Sequence, residues 1–296
     1  MKTVFDGIII GGSYAGLSAA MALGRSLRQV LIIDSNQPCN RFTSHSHNFI
    51  TQDGKAPAVI TQAAQAQVLA YPTVQWMQGK VVAAAGRNGA FELTTAAGES
   101  YQAKKLLFAT GLRDVLPNLE GLEACWGKSV LHCPYCHGYE MKGVATGILA
   151  NGEEVYSFAP LIANWTDQLT IYTNGPAKFD LQQLPIAVQV EQRPIQQLLH
   201  QEGQLKGIVL EDGKQNFLEA LYFHPAFEQH CSLPEELGCA LTTMGHLQVD
   251  DFQQTTVEGI FAAGDCTTLL RAISGATAQG TKAGAFLNHQ LIMDGL

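Results

Sequence analysis

Val4 to Ile10 is a short apolar run. It breaks at Gly11-Gly12-Ser13-Tyr14-Ala15-Gly16 and gives way to helical spacing from Leu17 to about Arg25. A second strand, Gln29 to Ile33, stops at Asp34. Strand, glycine-rich turn, helix, strand, acid is one βαβ unit. Arg41 to Gly54 is rich in Ser, His and Asn and reads as a loop that closes at Asp53-Gly54. Ala58 to Leu69 has helical spacing. Val74 to Thr95 reads as short strands around a Gly86-Arg87-Asn88-Gly89 hairpin turn, and Lys105 to Ala109 as a buried strand ending in Ala109-Thr110-Gly111. A second βαβ pattern follows: strand Val144 to Leu149, helix Glu153 to Ile162, strand Gln168 to Tyr172. Ile208 to Leu210 and Phe217 to Tyr222 add strands around an Asp212-Gly213 turn. Near the end, a strand runs into Gly264-Asp265, and a long helix covers about Ala276 to Met293. The pattern predicts an α/β fold of two Rossmann-like three-layer nucleotide-binding domains, the second inserted in the first. The outer domain is expected at residues 1–116 plus 243–296 and the inserted one at 117–242.

At 296 residues, 46% of them apolar, the chain has length and core for both domains. Its formal charge of −8, from 18 Lys+Arg against 26 Asp+Glu, argues against nucleic acid or an anionic membrane surface as partner. No run approaches the roughly 18 apolar residues of a membrane-spanning helix. Met1-Lys2-Thr3 leads straight into the first strand with no charged and apolar leader, so the expected address is the cytoplasm. Cys39, Cys125, Cys133, Cys136, Cys231, Cys239 and Cys266 make an odd, scattered set, which is not a disulfide framework.

Chemistry concentrates at two places. The first turn offers helix N-terminal N–H groups to a pyrophosphate. Ser13 stands where the fingerprint has its middle glycine and is small enough to keep the backbone close. Asp34, about 20 residues on, can accept from a ribose hydroxyl. The second place is Cys133-Pro134-Tyr135-Cys136-His137. Two thiols at this spacing, opening a helix, suit thiolate chemistry because N–H dipoles favour negative charge. His137 can move a proton near neutral pH, with His132 and Glu140 beside it as helpers. His45 and His47, in the polar loop, read as solvated. Other readings of the motif stay open: covalent haem attachment, which needs export; zinc through His132, Cys133, Cys136 and His137, which crowds four ligands into one short stretch; and a structural thiol pair.

Four ordered motifs together resemble the low-molecular-weight thioredoxin reductases over essentially the whole chain. They are Gly11 to Gly16, Ala109-Thr110-Gly111, Cys133-Pro134-Tyr135-Cys136 and Gly259 to Asp265. His137-Gly138-Tyr139-Glu140 resembles a branch that includes dithiol oxidases of natural-product pathways. The resemblance implies FAD in the outer domain and the redox pair in an inserted NAD(P)H-like domain. It implies that Gly11, Ser13, Tyr14, Ala15 and Gly16 face the pyrophosphate and that Asp34 or Ser35 takes the ribose. Arg41 and Asn48 would lie along the flavin and Val81 near the adenine. Ala109, Thr110 and Gly111 would close the site, and Gly264 and Asp265 would reach the ribityl or phosphate region. Ala272 and Ile273 would meet the pyrimidine end of the flavin. Cys136 would be the thiol nearer the flavin and Cys133 the one that exchanges with substrate. His137 stands where such reductases place an Asp. A homodimer is implied as well.

The second turn departs from a dinucleotide fingerprint. Ala150-Asn151-Gly152-Glu153-Glu154-Val155 lacks the first glycine, ends in Val155 and carries two carboxylates that repel pyrophosphate. No Arg or Lys follows the next strand until Lys178. NAD(P)H is therefore left open. The expected activity is FAD-dependent disulfide oxidoreduction through Cys133 and Cys136 with a thioredoxin-like protein or a small disulfide or dithiol. The alternatives are a dithiol oxidase using O₂, a ferredoxin-fed reductase, or a non-enzymatic flavin redox sensor.

Overall fold

The computed structural model describes residues 4–296. Met1-Lys2-Thr3, read above as leading into the first strand, lies outside the described residues. The chain divides into two compact units. One holds the chain up to Arg41, Pro57–Arg113 and Phe227–Leu296; the other holds Phe42–Ala56 and Asp114–Ala226. These boundaries differ from the sequence reading at three places, the smallest being residues 114–116, which go with the second unit. Residues 227–242 go with the first unit because Leu233 and Cys239 are buried in its core, with Leu237 and Leu241 packed against it. Residues 42–56 go with the second, which a polar loop without periodicity gave no means of assigning.

In the first unit the strands Val74–Gln78, Val30–Asp34, Val4–Ile10 and Ser100–Phe108 lie side by side in that order, all parallel. The last strand forks. Its beginning pairs antiparallel with Ala90–Thr95, and its end pairs parallel with Ile260–Ala262. Alternation puts Ile8, Ile10, Leu106 and Phe108 into a core on one face and Ile9, Leu107 and Phe261 into a core on the other. The second face is covered by the helices Tyr14–Arg25 and Ile273–Met293. Ala283, Leu287 and Leu291, four apart, form the buried stripe of the long helix. A Cβ on Gly280 would lie 2.1 Å from the Ala15 carbonyl oxygen, and one on Gly284 2.5 Å from that of Ala19. The two helices therefore meet backbone to backbone, which fixes where the first one starts.

In the second unit a five-stranded parallel sheet runs Gln189–Glu191, Leu169–Tyr172, Thr146–Leu149, Ala220–Tyr222, Val130–Leu131. The helix Val155–Ala163 buries Val155, Phe158, Ala159 and Ile162 against Ile148, Ile171 and Tyr222. It starts two residues later than the spacing predicted. An antiparallel sheet of Ile195–Gln201, Gln204–Leu210 and Gln215–Phe217 encloses the other core, with Leu198, Ile208 and Leu210 buried among Tyr172 and Leu221. No helix among the described residues is long and apolar enough to cross a membrane.

Candidate active site

Most of the predicted cofactor residues converge at the ends of the parallel strands of the first unit. Gly11 adopts φ +103°, and a Cβ there would lie 2.3 Å from the Ala109 carbonyl oxygen. Strand ends 10 and 109 therefore close up on the turn, as only glycine permits. Ser13 sits at the N-cap of Tyr14–Arg25 with no side-chain capping bond. The first-turn N–H groups are those that a helix leaves without internal partners. A Cβ on Gly16 would lie 1.9 Å from the Gly11 carbonyl oxygen, so turn and helix are packed to contact. Asp34 accepts from the Gly12 N–H at 2.6 Å and the Asn36 N–H at 2.7 Å, which aims its carboxylate across the turn. Ser35 next to it is exposed. Thr110 Oγ1 is buried without a hydrogen-bond partner in the structure, and Gly111 has φ +66°. Gly264 has φ +89°, and its Cβ position would lie 3.0 Å from Ala15 Cβ. Ala272 is the N-cap of the 21-residue helix Ile273–Met293, whose first turn presents backbone N–H groups. Val81 is buried in the core.

The glycine-lined turn, the aligned acid and the orphaned Thr110 hydroxyl fit a dinucleotide such as FAD. Asp265 is already engaged. Its Oδ2 lies 3.5 Å from Cys39 Sγ and 3.6 Å from Arg271 Nε. Packing around its sulfur and the Asp265 carboxylate push the Cys39 thiol up to about 12. Arg41 is exposed and donates to the Pro38 carbonyl at 3.1 Å. Asn48 lies outside the first unit. It belongs to the other unit, with φ +59°, its N–H held by Asp53 Oδ1 at 2.7 Å. Two contributors escaped the sequence reading. The Trp76 ring lies 2.2 Å from where a Gly12 Cβ would be, and Gln279 accepts from the Gly264 N–H at 2.7 Å. Trp76 was within reach, since it pairs with Ile32 two residues before Asp34. Gln279 carried no signal.

The cysteine pair lies in the second unit. Cys133 is the N-cap of Pro134–His137, a single turn with Pro134 at its first position. One turn is too short for a macrodipole. The turn is closed by the Gly138 N–H, which donates to the Pro134 carbonyl at 2.6 Å. Trp165 lies beneath Gly138, where a Cβ would come within 2.7 Å of its ring, and holds Tyr135 edge-on at 6.0 Å. Tyr135 and Tyr139 are exposed at 62% and 70%, which leaves the pair an aromatic, open front. Burial lowers the pKa of His137; the Glu140 carboxylate opposes this and His47 adds to it. The imidazole is thus set to be neutral, and able to take a proton, at neutral pH.

His47, read above as solvated, is instead half-buried. Its Nδ1 lies 3.5 Å from Glu140 Oε1 and 3.8 Å from Asp53 Oδ1. Tyr222 also went unread. It is 2% exposed, and its hydroxyl has no hydrogen-bond partner in the structure. Burial, followed by the charges of Cys133, Glu140 and Cys136, raises its pKa. Among the described residues no three His, Cys, Asp or Glu side chains group to hold a metal ion.

The model of one family, described as pyridine nucleotide-disulphide oxidoreductase, matches residues 5–148 and 186–280. The chain belongs to this family. It is an enzyme, a flavin-dependent disulfide oxidoreductase that binds FAD. Curated relatives include "Thioredoxin reductase aclD" of Aspergillus oryzae, 32% identical, covering 98% of this chain and 98% of the relative. "Thioredoxin reductase tcpT" of Claviceps purpurea is 31% identical, covering 99% and 96%. The crystal structure of an oxidoreductase from Agrobacterium tumefaciens superposes with TM-score 0.92 at 38% identity, covering 98% of this chain and 99% of that one.

The family name raises the question of a pyridine nucleotide, and the second turn answers it poorly. The place of a Gly152 Cβ is taken by Glu154, whose Oε2 lies 2.3 Å away. Asn151 donates to the carbonyls of Thr173 at 2.9 Å and Pro176 at 3.0 Å and accepts from the Lys178 N–H at 2.7 Å. A carboxylate thus lies over the turn, and a side chain laces the turn to the loop where a cofactor phosphate would lie. Arg193, after the strand Gln189–Glu191, is paired with Glu191 and Asp212. These residues depart from a turn built to hold a cofactor pyrophosphate.

Proposed function

We infer that the chain passes electrons between its flavin and a substrate dithiol or disulfide through Cys133 and Cys136, in the direction of dithiol oxidation, with O₂ as final acceptor. The observation that carries this direction is the second turn, where Glu154 covers Gly152. An enzyme without a nicotinamide site takes its electrons from elsewhere, and a substrate dithiol is the donor that the cysteine pair accepts. Overall, a dithiol and O₂ give a disulfide and H₂O₂.

A substrate thiolate attacks Cys133 Sγ and Cys136 leaves as a thiolate; the second substrate thiolate then attacks the substrate sulfur bound to Cys133, releasing the substrate disulfide. His137 takes the proton of the attacking thiol. Bound FAD supplies the two-electron acceptor that returns the pair to its disulfide. Gly11 to Gly16 and Asp34 would hold its pyrophosphate and ribose, and the helix start at Ala272 and Ile273 would favour negative charge near it. The relatives' printed names support a second reading, reduction of a thioredoxin-like protein; in that reading the electrons would come from a donor such as ferredoxin. We place the protein in the cytoplasm as a homodimer.

Anaerobic titration of the purified yellow protein with NADPH, NADH and a small dithiol separates the readings. Flavin absorbance is expected to bleach with dithiol alone and to return in air. Rapid bleaching by stoichiometric NADPH would overturn the direction assigned.

A further inference from the structure

The strand Ile260–Ala262 ends at the cofactor cradle, and the chain leaves the sheet through Gly264 at φ +89°. The Ala263 N–H still belongs to the sheet and donates to the Phe108 carbonyl at 3.0 Å. The Gly264 N–H, the next along, donates instead to Gln279 Oε1 at 2.7 Å. Gln279 lies early in the helix Ile273–Met293. An N–H can only donate, so the amide oxygen of Gln279 faces Gly264 and its NH₂ is turned away. The Gly264 carbonyl is held as well. It accepts from the Thr267 N–H at 2.9 Å. Thr267 Oγ1 lies 2.9 Å from that carbonyl oxygen and 3.2 Å from Gln279 Oε1, so one hydroxyl hydrogen serves two acceptors. Both peptide groups beside the Gly264 Cα are thus fixed, and with them the direction in which Asp265 leaves the turn. The same place is tied to the Gly11 to Gly16 turn. Ala15 Cβ lies 3.0 Å from the Cβ position of Gly264, and the Ala15 carbonyl oxygen 2.1 Å from that of Gly280, the residue after Gln279. Residues 15, 264 and 280 meet at contact distance, and Gln279 is the polar side chain at their junction.

We propose that Gln279 is a positioning residue for FAD: by holding the Gly264 N–H it fixes the Asp265 carboxylate relative to the Gly11 to Gly16 turn and to the helix start at Ala272 and Ile273, so that all three act on one cofactor. Asp265 is steadied on its far side too, where Oδ2 lies 3.5 Å from Cys39 Sγ and 3.6 Å from Arg271 Nε. The inference rests on the reading that Asp265 reaches the ribityl or phosphate region of FAD. The competing role is local: a glutamine that satisfies one buried N–H and serves folding alone.

The test is a double-mutant cycle on the dissociation constant of FAD, read from flavin fluorescence as the holoprotein is diluted, with denaturant unfolding of each variant alongside. Gln279→Met keeps the size and removes the acceptor, and is expected to weaken FAD binding about tenfold. Asp265→Asn is expected to weaken it by about tenfold or more. Because Gln279 acts through Asp265, the double variant should bind within about twofold of Asp265→Asn alone. The visible circular dichroism of the bound flavin, which a loss of folding stability alone leaves in place, should change in Gln279→Met. Losses that multiply in the double variant, or parent affinity and an unaltered spectrum in Gln279→Met, would overturn the proposal and leave Asp265 in the site. Parent affinity in Asp265→Asn would instead remove Asp265 from the cofactor site, and this inference with it. If Gln279→Met does not fold, Thr267→Val carries the cycle by removing the hydroxyl shared with Gln279 Oε1. A loss of about two- to threefold is expected there, and it should vanish in the Asp265→Asn background; a loss that persists in that background would sink the proposal.

Discussion

The two βαβ turns of this chain begin alike and end differently. Each follows a parallel strand and opens a helix that buries an apolar face. In the first, Gly11 and Gly16 bring turn and helix into backbone contact, and Asp34 reaches back to the Gly12 N–H at 2.6 Å. Among the described residues no carboxylate takes the Cβ place of a glycine in this turn as Glu154 does at Gly152; the Trp76 ring packs beside Gly12. In the second, Glu154 lies over Gly152, the helix starts at Val155, and Asn151 ties the turn to the loop beyond the next strand. A Rossmann unit thus keeps its fold when its ligand turn is lost, because the sheet and its helix are stabilised by apolar burial while the turn contributes mainly ligand contacts. One half of the molecule still reads as a nucleotide cradle, and the other as scaffold for a cysteine pair.

If that contrast is right, the cysteine pair is the electron route, and Cys136→Ser gives the largest effect. Bleaching of the flavin by dithiol should slow by about a thousandfold or more, since the residues of a catalytic unit are not replaceable one at a time. Stopped-flow absorbance measures it, and an intact rate in this variant would place the electron path elsewhere.

The next test attacks the cradle. Gly16→Val puts carbon against the Gly11 carbonyl oxygen, from which even a Cβ would be only 1.9 Å away. The purified variant should lack yellow colour and lose about 1–3 kcal/mol or more of stability from overpacking. Flavin retained at full occupancy, read from the visible spectrum, would remove this turn from the binding site.

A smaller change should come from partial repair of the second turn. Glu154→Gly removes the carboxylate over Gly152; removing one such charge at a helix start is worth about two- to fivefold in affinity for NADPH. Calorimetric titration should find the variant better than the parent but still weak, because Asn151 keeps its three bonds. Tight binding by the parent chain would erase the contrast between the turns.

The smallest effect is expected at Tyr222. Its hydroxyl is buried without a partner in the structure, so Tyr222→Phe should leave folding stability within about 1 kcal/mol of the parent or raise it. Denaturant unfolding reads this directly, and a loss of several kcal/mol would mean that the hydroxyl has a buried partner, such as a bound water.

Much of this was legible in the chain because it is local. Short apolar runs mark Val4–Ile10 and Thr146–Leu149, and helical spacing marks Tyr14–Arg25. The glycine turn, the acid after the second strand and the Cys-x-x-Cys-His spacing are each written within a few dozen residues. The departure of the second turn was visible too, as Ala150 in place of the first glycine and Val155 in place of the last Gly or Ala. What the chain alone left undecided are contacts between residues far apart in sequence, for which no period exists. Only the tertiary structure carries His47 from a polar loop to Glu140, sets Trp76 against Gly12, and leaves the Tyr222 hydroxyl buried beside the thiols. Only it shows that Glu154 and Asn151 fill the second turn rather than line it. Side-chain type and spacing determine which chemistry is available; the packing of distant segments decides which groups meet, and so which of that chemistry can occur.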